Sequence, residues 1–358
     1  METVDANGDV QPTSTPPPSP VPATLETIAE GDFAIVRKLD GKRFTLTRLK
    51  KNVTIAVENL NFKVDAALGQ PYGVYQVLNR GLKPQIPVEE LAKFKSLNVL
   101  EEEEEPAEGQ KHQLVRGKVD LKRAKKATTL IQIERPTTRT LTDYFYLRNP
   151  ETVCFLRNDH ASLLMQMAAV KPNARILVYD QSSGVIVTHV VERLGGYGAC
   201  VLLHNGPSAS QILCYRNRQF PKDIASTFRP LPLGQLLGNG EVKSKKVEET
   251  LSWFEEARTP GFGGFDSLLI VCKNASAVSV LEKTFRAVRS AGNLVVYSPN
   301  AADVVLAREW LEKRGCVFVE IRQSFCREIQ VLKRRTHPLM QQQVPGGFIL
   351  SAIRVFDP

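Results

Sequence analysis

The residues best placed for cofactor chemistry follow the strand-like run Arg175–Asp180. An open α/β sheet binds its ligand at the carboxyl ends of its strands. A nucleotide- or S-adenosylmethionine-binding turn at this point usually reads acid-x-Gly-x-Gly-x-Gly, because glycines let the backbone approach the ligand and let the next helix pack closely. Here Ser182 and Ile186 replace the first and third glycines, and only Gly184 remains. The turn therefore predicts a site that does not hold the cofactor, and we expect Asp180 to cap the turn.

Two further positions that carry an acid in such a site lack one here. The next strand ends at His204-Asn205, where a carboxylate would accept hydrogen bonds from both ribose hydroxyls. The fourth strand ends at Val271–Lys273, where a catalytic or orienting acid would stand. Together with the altered turn, these positions predict a sheet without a working cofactor pocket.

Other catalytic and metal-binding patterns are also missing from the sequence. Gly261–Gly264 lacks the Lys-Ser/Thr pair of a phosphate-binding loop, and the histidines have no Ser or Cys in a recognisable nucleophile turn. The six cysteines form no C-x-x-C pair, and the five histidines lack ligand spacing. We therefore expect reduced, mostly buried thiols in an intracellular protein, rather than a disulfide framework or a zinc site. The prediction is that the chain has no catalytic, cofactor-binding or metal-binding residues.

Basic residues are concentrated in one part of the chain. The net charge is +9, from 47 Lys and Arg against 38 Asp and Glu, and Lys111 to Arg157 holds eleven basic residues against four acids. Such a stretch suits a polyanionic partner such as nucleic acid. A solvated basic surface is the alternative that the charge alone leaves open.

Three groups of residues are candidates for RNA contacts. Arg135 and Arg139 flank Thr137 in a short turn and could clamp a phosphate, although an interdomain salt-bridge corner would use the same residues. A second cluster suits either a nuclear localisation signal or RNA-backbone contacts, and it comprises Lys122, Arg123, Lys125 and Lys126. The third group lies in the loop before the last strand and fits phosphate contact or a subunit interface; it comprises Arg327, Arg334, Arg335, Thr336 and His337. The aromatic residues Tyr144–Tyr146 are expected in the core of a helix rather than as base-stacking platforms.

The 358 residues suggest two domains with additional segments. Residues 1–30 are rich in Pro, Ser, Thr and acids, which predicts a disordered tail that is neither a secretory signal nor a transit peptide. Short alternating runs over 31–83, with a turn at Asp40-Gly41, predict a small antiparallel β-barrel-like domain. Residues 84–130 are expected to be a charged, partly disordered linker. No apolar run is long enough for a transmembrane span, so no membrane association is expected.

Residues 131–358 are predicted to form an α/β domain. Strands alternate with helices from about residue 159, which is typical of a mostly parallel, doubly wound sheet. We expect helices near 207–213 and over 275–291. The runs 316–323 and 347–355 are expected to form a final antiparallel strand pair.

Several motifs together resemble one known family. They are Gly31–Arg37, Gly69–Gly73, Arg135–Leu141, Tyr297–Pro299, Arg327–Leu332, Arg335–Pro338 and Gly346–Val355. On these motifs the sequence resembles the non-catalytic subunits of eukaryotic tRNA (adenine-N1) methyltransferases, which act on an adenine in the tRNA T-loop.

The resemblance implies a heterotetramer of two such chains with two catalytic paralogues. It implies a Rossmann-like methyltransferase-fold domain with a degenerate cofactor loop, preceded by the small antiparallel β-barrel. S-adenosylmethionine would be held by the catalytic partner and not by this chain, which would bind tRNA in the nucleus. Two alternatives remain: an active S-adenosylmethionine-dependent RNA methyltransferase with an atypical loop, and a tRNA-binding scaffold in translation initiation.

Overall fold

The computed structural model describes residues 26–39, 43–84, 129–206, 208–236, 244–256, 264–330, 336–340 and 344–355. The basic cluster at Lys122–Lys126 lies outside these described residues, as do residues 1–25 of the expected tail and residues 85–128 of the expected linker. Residues 26–30 are described, and Ile28 among them is buried against the N-terminal domain, where its N–H donates to the Gln70 carbonyl.

The described residues of the N-terminal domain form seven antiparallel strands. They are β1 (Phe33–Lys38), β2 (Phe44–Arg48), β3 (Thr54–Val57), β4 (Leu60–Lys63), β5 (Gly73–Leu78), β6 (Gly81–Pro84) and β7 (Leu130–Glu134). Five of them form a sheet in the order β2-β1-β7-β5-β6, and β3 and β4 form a hairpin that contacts β2 and β6 at the two edges of that sheet. In β3, buried Ile55 and Val57 alternate with exposed neighbours, so one face of the hairpin covers the domain core.

Strand pairing in this domain agrees with the expected hairpin and differs from the expected boundary at residue 131. The strands β1 and β2 are antiparallel partners, with Arg37 opposite Phe44, while the turn residues Asp40 and Gly41 lie outside the described residues. The strand β7, which the sequence pattern places with the α/β domain, pairs with β1 and β5. The whole charged segment separates β7 from β6 along the chain, so this pairing is a long-range contact that local patterns do not reveal.

The second domain alternates strands and helices. Its strands are β8 (Arg175–Asp180), β9 (Ala199–His204), β10 (Phe228–Pro232), β11 (Phe265–Val271), β12 (Val288–Ser298), β13 (Val317–Arg322), β14 (Ile329–Gln330), β15 (His337–Pro338) and β16 (Phe348–Ile353). Its helices are α1 (Thr138–Arg148), α2 (Asn158–Met167), α3 (Val185–Leu194), α4 (Leu213–Arg218), α5 (Lys222–Ala225), α6 (Leu233–Leu236), α7 (Lys245–Glu256), α8 (Ala277–Thr284) and α9 (Ala301–Lys313). Short 3₁₀ turns lie at Pro150–Val153 and Phe285–Ala287.

The central sheet has seven strands in the order β10-β9-β8-β11-β12-β16-β13. The first five are parallel, and β16 runs antiparallel to both β12 and β13, as the final strand pair predicted. The chain moves outward from β8 in one direction and from β11 in the other. The carboxyl ends of β8 and β11 therefore meet at the topological switch point, where open α/β sheets form a ligand crevice.

Apolar cores lie on both faces of this sheet, because successive side chains of a strand point to opposite sides. In β8, Ile176 and Val178 belong to the core under α2 and α3, whereas Leu177 and Tyr179 belong to the core under α7, α8 and α9. The strands of a parallel sheet that is buried on both faces have nearly continuous apolar sequences, as β8 and β11 do.

Three local expectations were wrong. The helix expected near 207–213 begins at Leu213, and the strand Phe228–Pro232, which pairs with β9, was not expected. The helix expected over 275–291 ends at Thr284. Residues from Val288 instead join β12, because Val288 pairs with Phe265 across an irregularity in the β11–β12 register. This tertiary pairing overrides the helical pattern of the local sequence.

Candidate functional site

Asp180 ends β8 and caps the turn that follows it, as expected. Its Oδ1 accepts hydrogen bonds from the Ser182 N–H at 2.6 Å and the Ser182 hydroxyl at 2.5 Å, and its Oδ2 accepts the Val187 N–H at 3.3 Å. Burial raises the pKa of the Asp180 carboxyl, and the hydrogen bonds from Ser182 oppose that rise. The Asp180 carboxylate therefore accepts its hydrogen bonds from within the protein.

Gln181 lies across the switch point between β8 and β11. Its Oε1 accepts backbone N–H groups from Lys273 at 2.8 Å, Asn274 at 3.1 Å and Ala275 at 3.4 Å. Its own N–H donates to the Val271 carbonyl at 3.0 Å. Both the backbone and the side chain of Gln181 therefore join the turn after β8 to the residues at the end of β11.

The positions of the missing glycines are packed. Ser182 and Ile186 are fully buried, and Ile186 lies in the core between α3 and the sheet. Internal packing requires a glycine at position 184. Its φ is +84°, and a Cβ there would lie 2.8 Å from the Cα of Ile212. The turn is thus shaped by internal packing rather than by space for a cofactor.

A cavity of about 280 Å³ lies near the carboxyl ends of β8 and β9 and the start of α8. It is lined by Tyr179, Asn205, Leu233, Ala275, Ser276, Ser279, Val280, Lys283 and Thr284. No Asp or Glu stands among these described residues, so a ribose would find no carboxylate for its two hydroxyls. His204, at the end of β9, is half-buried, and that burial lowers its pKa. The residues present do not fit S-adenosylmethionine.

In the described part of the chain, no group of three or more His, Cys, Asp and Glu side chains could hold a metal ion. No helix in the same ranges is long and apolar enough to cross a membrane.

Arg135, Thr137 and Arg139 lie where β7 leads into α1. The Nη1 of Arg135 is 2.5 Å from a carboxylate oxygen of Glu26. The Thr137 hydroxyl accepts the Thr140 N–H at 3.1 Å and so caps α1. Arg139 is exposed in the first turn of α1. A phosphate clamp stays a prediction here, and it would require Arg135 to exchange Glu26 for the phosphate.

The third candidate group lies in the segment between β13 and β16, residues 323–347, which we call the excursion. Arg327 is exposed, with its guanidinium 5.8 Å from the centre of the Phe325 ring. Thr336 and His337 are exposed, and His337 pairs with Gln330 through the short β14–β15 ladder. Arg334 and Arg335 lie outside the described residues.

Sequence reasoning missed two residues that organise this region. Gln181 carries a sequence signal, because its amide side chain directly follows the strand-end acid Asp180. The backbone groups that it binds, however, follow a strand that is distant in the sequence. Arg157 is buried and bonded to both ends of the excursion. The sequence pattern that could have revealed Arg157 is the Arg157-x-Asp159 pair at the start of α2. The expected core position of the Tyr144 ring is confirmed, since that residue is buried in α1.

Residues 109–259 match the Gcd10p family. A protein of Dictyostelium discoideum named as a tRNA (adenine(58)-N(1))-methyltransferase non-catalytic subunit is 27% identical over 283 residues, covering 66% of this chain and 54% of the relative. The subunit of the same name in Mus musculus is 22% identical over 324 residues, covering 76% of this chain and 63% of the relative. The chain resembles these non-catalytic subunits. It spans roughly half to two thirds of their length.

Two solved structures share the fold over nearly the whole chain. A SAM-dependent O-methyltransferase of Thermotoga maritima has a TM-score of 0.58 at 12% identity, covering 93% of this chain and 96% of that one. The tRNA (m1A58) methyltransferase TrmI of Aquifex aeolicus has a TM-score of 0.54 at 13% identity, covering 93% and 100%. The predicted fold class is confirmed: a Rossmann-like methyltransferase-fold domain with a degenerate cofactor loop follows a small antiparallel β domain.

Proposed function

We propose that this chain is a non-catalytic, tRNA-binding subunit of a tRNA (adenine-N1) methyltransferase complex that forms 1-methyladenosine in the T-loop. The observation that carries the proposal is the side chain of Gln181, which accepts backbone N–H groups after β11 at the switch point. The printed names of the relatives, which are non-catalytic subunits of that enzyme, support it.

The altered switch point is compatible with a methyltransferase fold that serves without methyl transfer of its own. Function lies in sites rather than in the fold, so a sheet without a fitting cofactor site can still act as a scaffold. Displacing Gln181 would leave the N–H groups of residues 273–275 without the acceptor that they share. A catalytic paralogue with an intact glycine loop would supply S-adenosylmethionine, and this chain would supply surface for the partner and for tRNA.

The finer parts of the proposal concern assembly and location. A heterotetramer of two such chains with two catalytic paralogues, acting in the nucleus, is consistent with the family that the sequence resembles. The net charge of +9 favours binding to the phosphate backbone of tRNA. Arg139 and Arg327 are exposed cations at two candidate contact points.

Co-expression with a glycine-loop paralogue from the same organism tests the proposal. We expect the paralogue to co-purify with this chain, and we expect methyl transfer to tRNA by the complex but by neither chain alone. Full activity of the paralogue alone would contradict a supporting role. Micromolar binding of S-adenosylmethionine to this chain alone would favour the active-enzyme alternative. Failure of any such paralogue to co-purify would favour the translation scaffold.

The salt dependence of tRNA affinity tests the basic residues. Each phosphate contact contributes about −0.7 to −0.9 to the slope of log affinity against log salt concentration. Replacing Arg135 and Arg139 by Ala in the complex should flatten that slope and weaken binding. Arg308→Ala is the matched control, because Arg308 is a surface arginine paired with Glu312 within α9. An unchanged slope in the double variant would show that Arg135 and Arg139 serve only as a salt-bridge corner.

A further inference from the structure

The excursion leaves the sheet after β13 and returns before β16, and the side chain of Arg157 lies between its two ends. Nη2 donates to the backbone carbonyl of Ser324 at 3.2 Å and to its hydroxyl at 3.0 Å. Nη1 donates to the carbonyls of Val344 at 3.1 Å and Pro345 at 3.2 Å. One guanidinium group therefore joins the outgoing and the returning limb.

Asp159 completes this arrangement. It accepts Nε of Arg157 at 2.9 Å and Nη2 at 2.7 Å, and the Ser324 hydroxyl donates to the same carboxylate. Arg157 is only 7% exposed, so its charge needs the close carboxylate and a full set of acceptors. Burial acts to raise the pKa of Asp159, but the hydrogen bonds from Arg157 and Ser324 outweigh it and hold the pKa well below its usual range. The pair is thus charged at neutral pH.

The returning limb fits against Arg157 because Gly346 has no side chain. A Cβ at Gly346 would lie 2.5 Å from the Arg157 Nη1 and 2.5 Å from the His160 Cε1. The hydroxyl of Tyr146 also donates to the Pro345 carbonyl, at 2.7 Å. Residues of α1 and of the start of α2 therefore hold the same short stretch of chain.

The described residues beyond these ends are exposed to solvent. Phe325 is 84% exposed, and Arg327 and His337 are exposed on the same excursion. A segment that must be ordered when it binds a partner loses affinity to that ordering, and fixing its ends in advance reduces the loss. A buried guanidinium that contacts both ends of the excursion can fix them in advance, since one arginine can bridge several acceptors at fixed geometry.

We propose that Arg157 is a positioning residue, whose guanidinium fixes both ends of the excursion and thereby sets where Arg327 and His337 meet tRNA. This inference rests on the proposed function for the identity of the ligand. Arg157 is itself buried, so it acts through the excursion and does not contact RNA.

Hydrogen–deuterium exchange of the complex without tRNA tests the clamp by itself. Arg157→Lys keeps the positive charge, but a single ammonium cannot bridge both limbs. We expect amides of 324–330 and 336–346 to exchange at least tenfold faster in this variant. Arg289→Lys is the control, because Arg289 pairs with Asp266 at 2.8 Å in the same domain and should leave those rates unchanged. Unchanged rates in Arg157→Lys would overturn the clamp whatever the ligand is.

Gly346→Ala provides a second variant that leaves Arg157 in place. The added methyl group should push the returning limb from the guanidinium and speed exchange in the same peptides. If Arg157→Lys does not fold, Gly346→Ala and the milder Ser324→Ala carry the test, and wild-type exchange in both would overturn the proposal.

A double-mutant cycle on tRNA binding separates positioning from a general loss of stability. In the complex, Arg157→Lys should raise the KM for tRNA about tenfold while kcat stays near its wild-type value. Arg327→Ala should weaken tRNA binding in the wild-type background and have little further effect when Arg157 is replaced. Additive effects would show that Arg157 does not position Arg327. If Arg327→Ala alone changes nothing while exchange still responds to Arg157→Lys, the clamp exists but the tRNA contact proposed for the excursion is wrong.

Discussion

The side-chain carbonyl of Gln181 accepts the backbone N–H of Lys273 at 2.8 Å. This hydrogen bond joins the turn after β8 to the residues after β11, across the point where the sheet changes direction. In an open α/β sheet this is the place for a ligand. In this protein the Gln181 side chain binds backbone N–H groups there. Internal hydrogen bonds therefore accompany the absence of two glycines from the turn.

Replacing Gln181 should therefore affect stability rather than create cofactor binding. Gln181→Ala leaves backbone N–H groups at 273–275 without their shared acceptor, which should lower the free energy of unfolding by about 1–3 kcal/mol. Combining it with Ser182→Gly should still give no heat with S-adenosylmethionine in isothermal titration, because His204-Asn205 supplies no carboxylate. Urea unfolding measures the first effect, and Gln166→Ala on an exposed face of α2 is the control. Micromolar cofactor binding by the double variant would contradict the prediction.

Gly184 and Gly195 provide a matched pair of backbone tests. Both have positive φ, +84° and +61°, at the two ends of α3. A Cβ at Gly195 meets no described atom within 4 Å, so Gly195→Ala should lose only the cost of its backbone conformation, about 1 kcal/mol. A Cβ at Gly184 would lie 2.8 Å from the Ile212 backbone, so Gly184→Ala should lose at least about 2 kcal/mol more through overpacking. Equal losses in urea unfolding would show that the turn can shift away from Ile212.

Local patterns were enough to predict most elements of the α/β domain. Runs such as Arg175–Asp180 and Phe265–Val271 are apolar because both faces of their strands are buried, so each is visible without knowledge of its neighbours. The replacement of two motif glycines by Ser182 and Ile186 was also visible in the sequence, since a glycine motif is recognised within one short stretch.

Features that depend on distant partners were not predictable in this way. The strand β7 joins the N-terminal sheet, and Val288 is drawn into β12 by Phe265, although neither pairing leaves a local pattern. Gln181 reads as an ordinary turn residue until β11 is placed beside β8. Arg157 likewise reads as a surface charge until both ends of the excursion are brought to it.

Two histidines of the described residues, the buried His160 and the half-buried His189, should make stability fall in mild acid. Burial lowers the pKa of both His160 and His189 to about 4, from the usual 6.5. The charge of Arg157 lowers the value for His160 further, while Asp159 opposes it. The unfolded chain binds protons at these histidines near pH 6.5, but the folded protein binds them only near pH 4. The unfolded state therefore holds more protons between these values, and stability is lost as the pH falls through this window.

The size of the effect follows from the pKa difference. Each of these two histidines should reduce the free energy of unfolding by about 1.4 kcal/mol per pH unit in the window, or about 2 kcal/mol by pH 5. His189→Gln keeps a group that can bond to the Thr142 hydroxyl, which lies 3.0 Å from the Nε2 of His189, but it does not titrate. We expect this variant to lower the slope of stability against pH by about one proton between pH 4.5 and 6, measured by urea unfolding at each pH. Gln166→Ala, a change on an exposed face of α2 that removes no titratable group, is the control and should leave the slope unchanged. If His189→Gln has the same slope as the wild type, His189 is protonated in the folded protein as readily as in the unfolded chain, and its burial does not contribute to acid sensitivity.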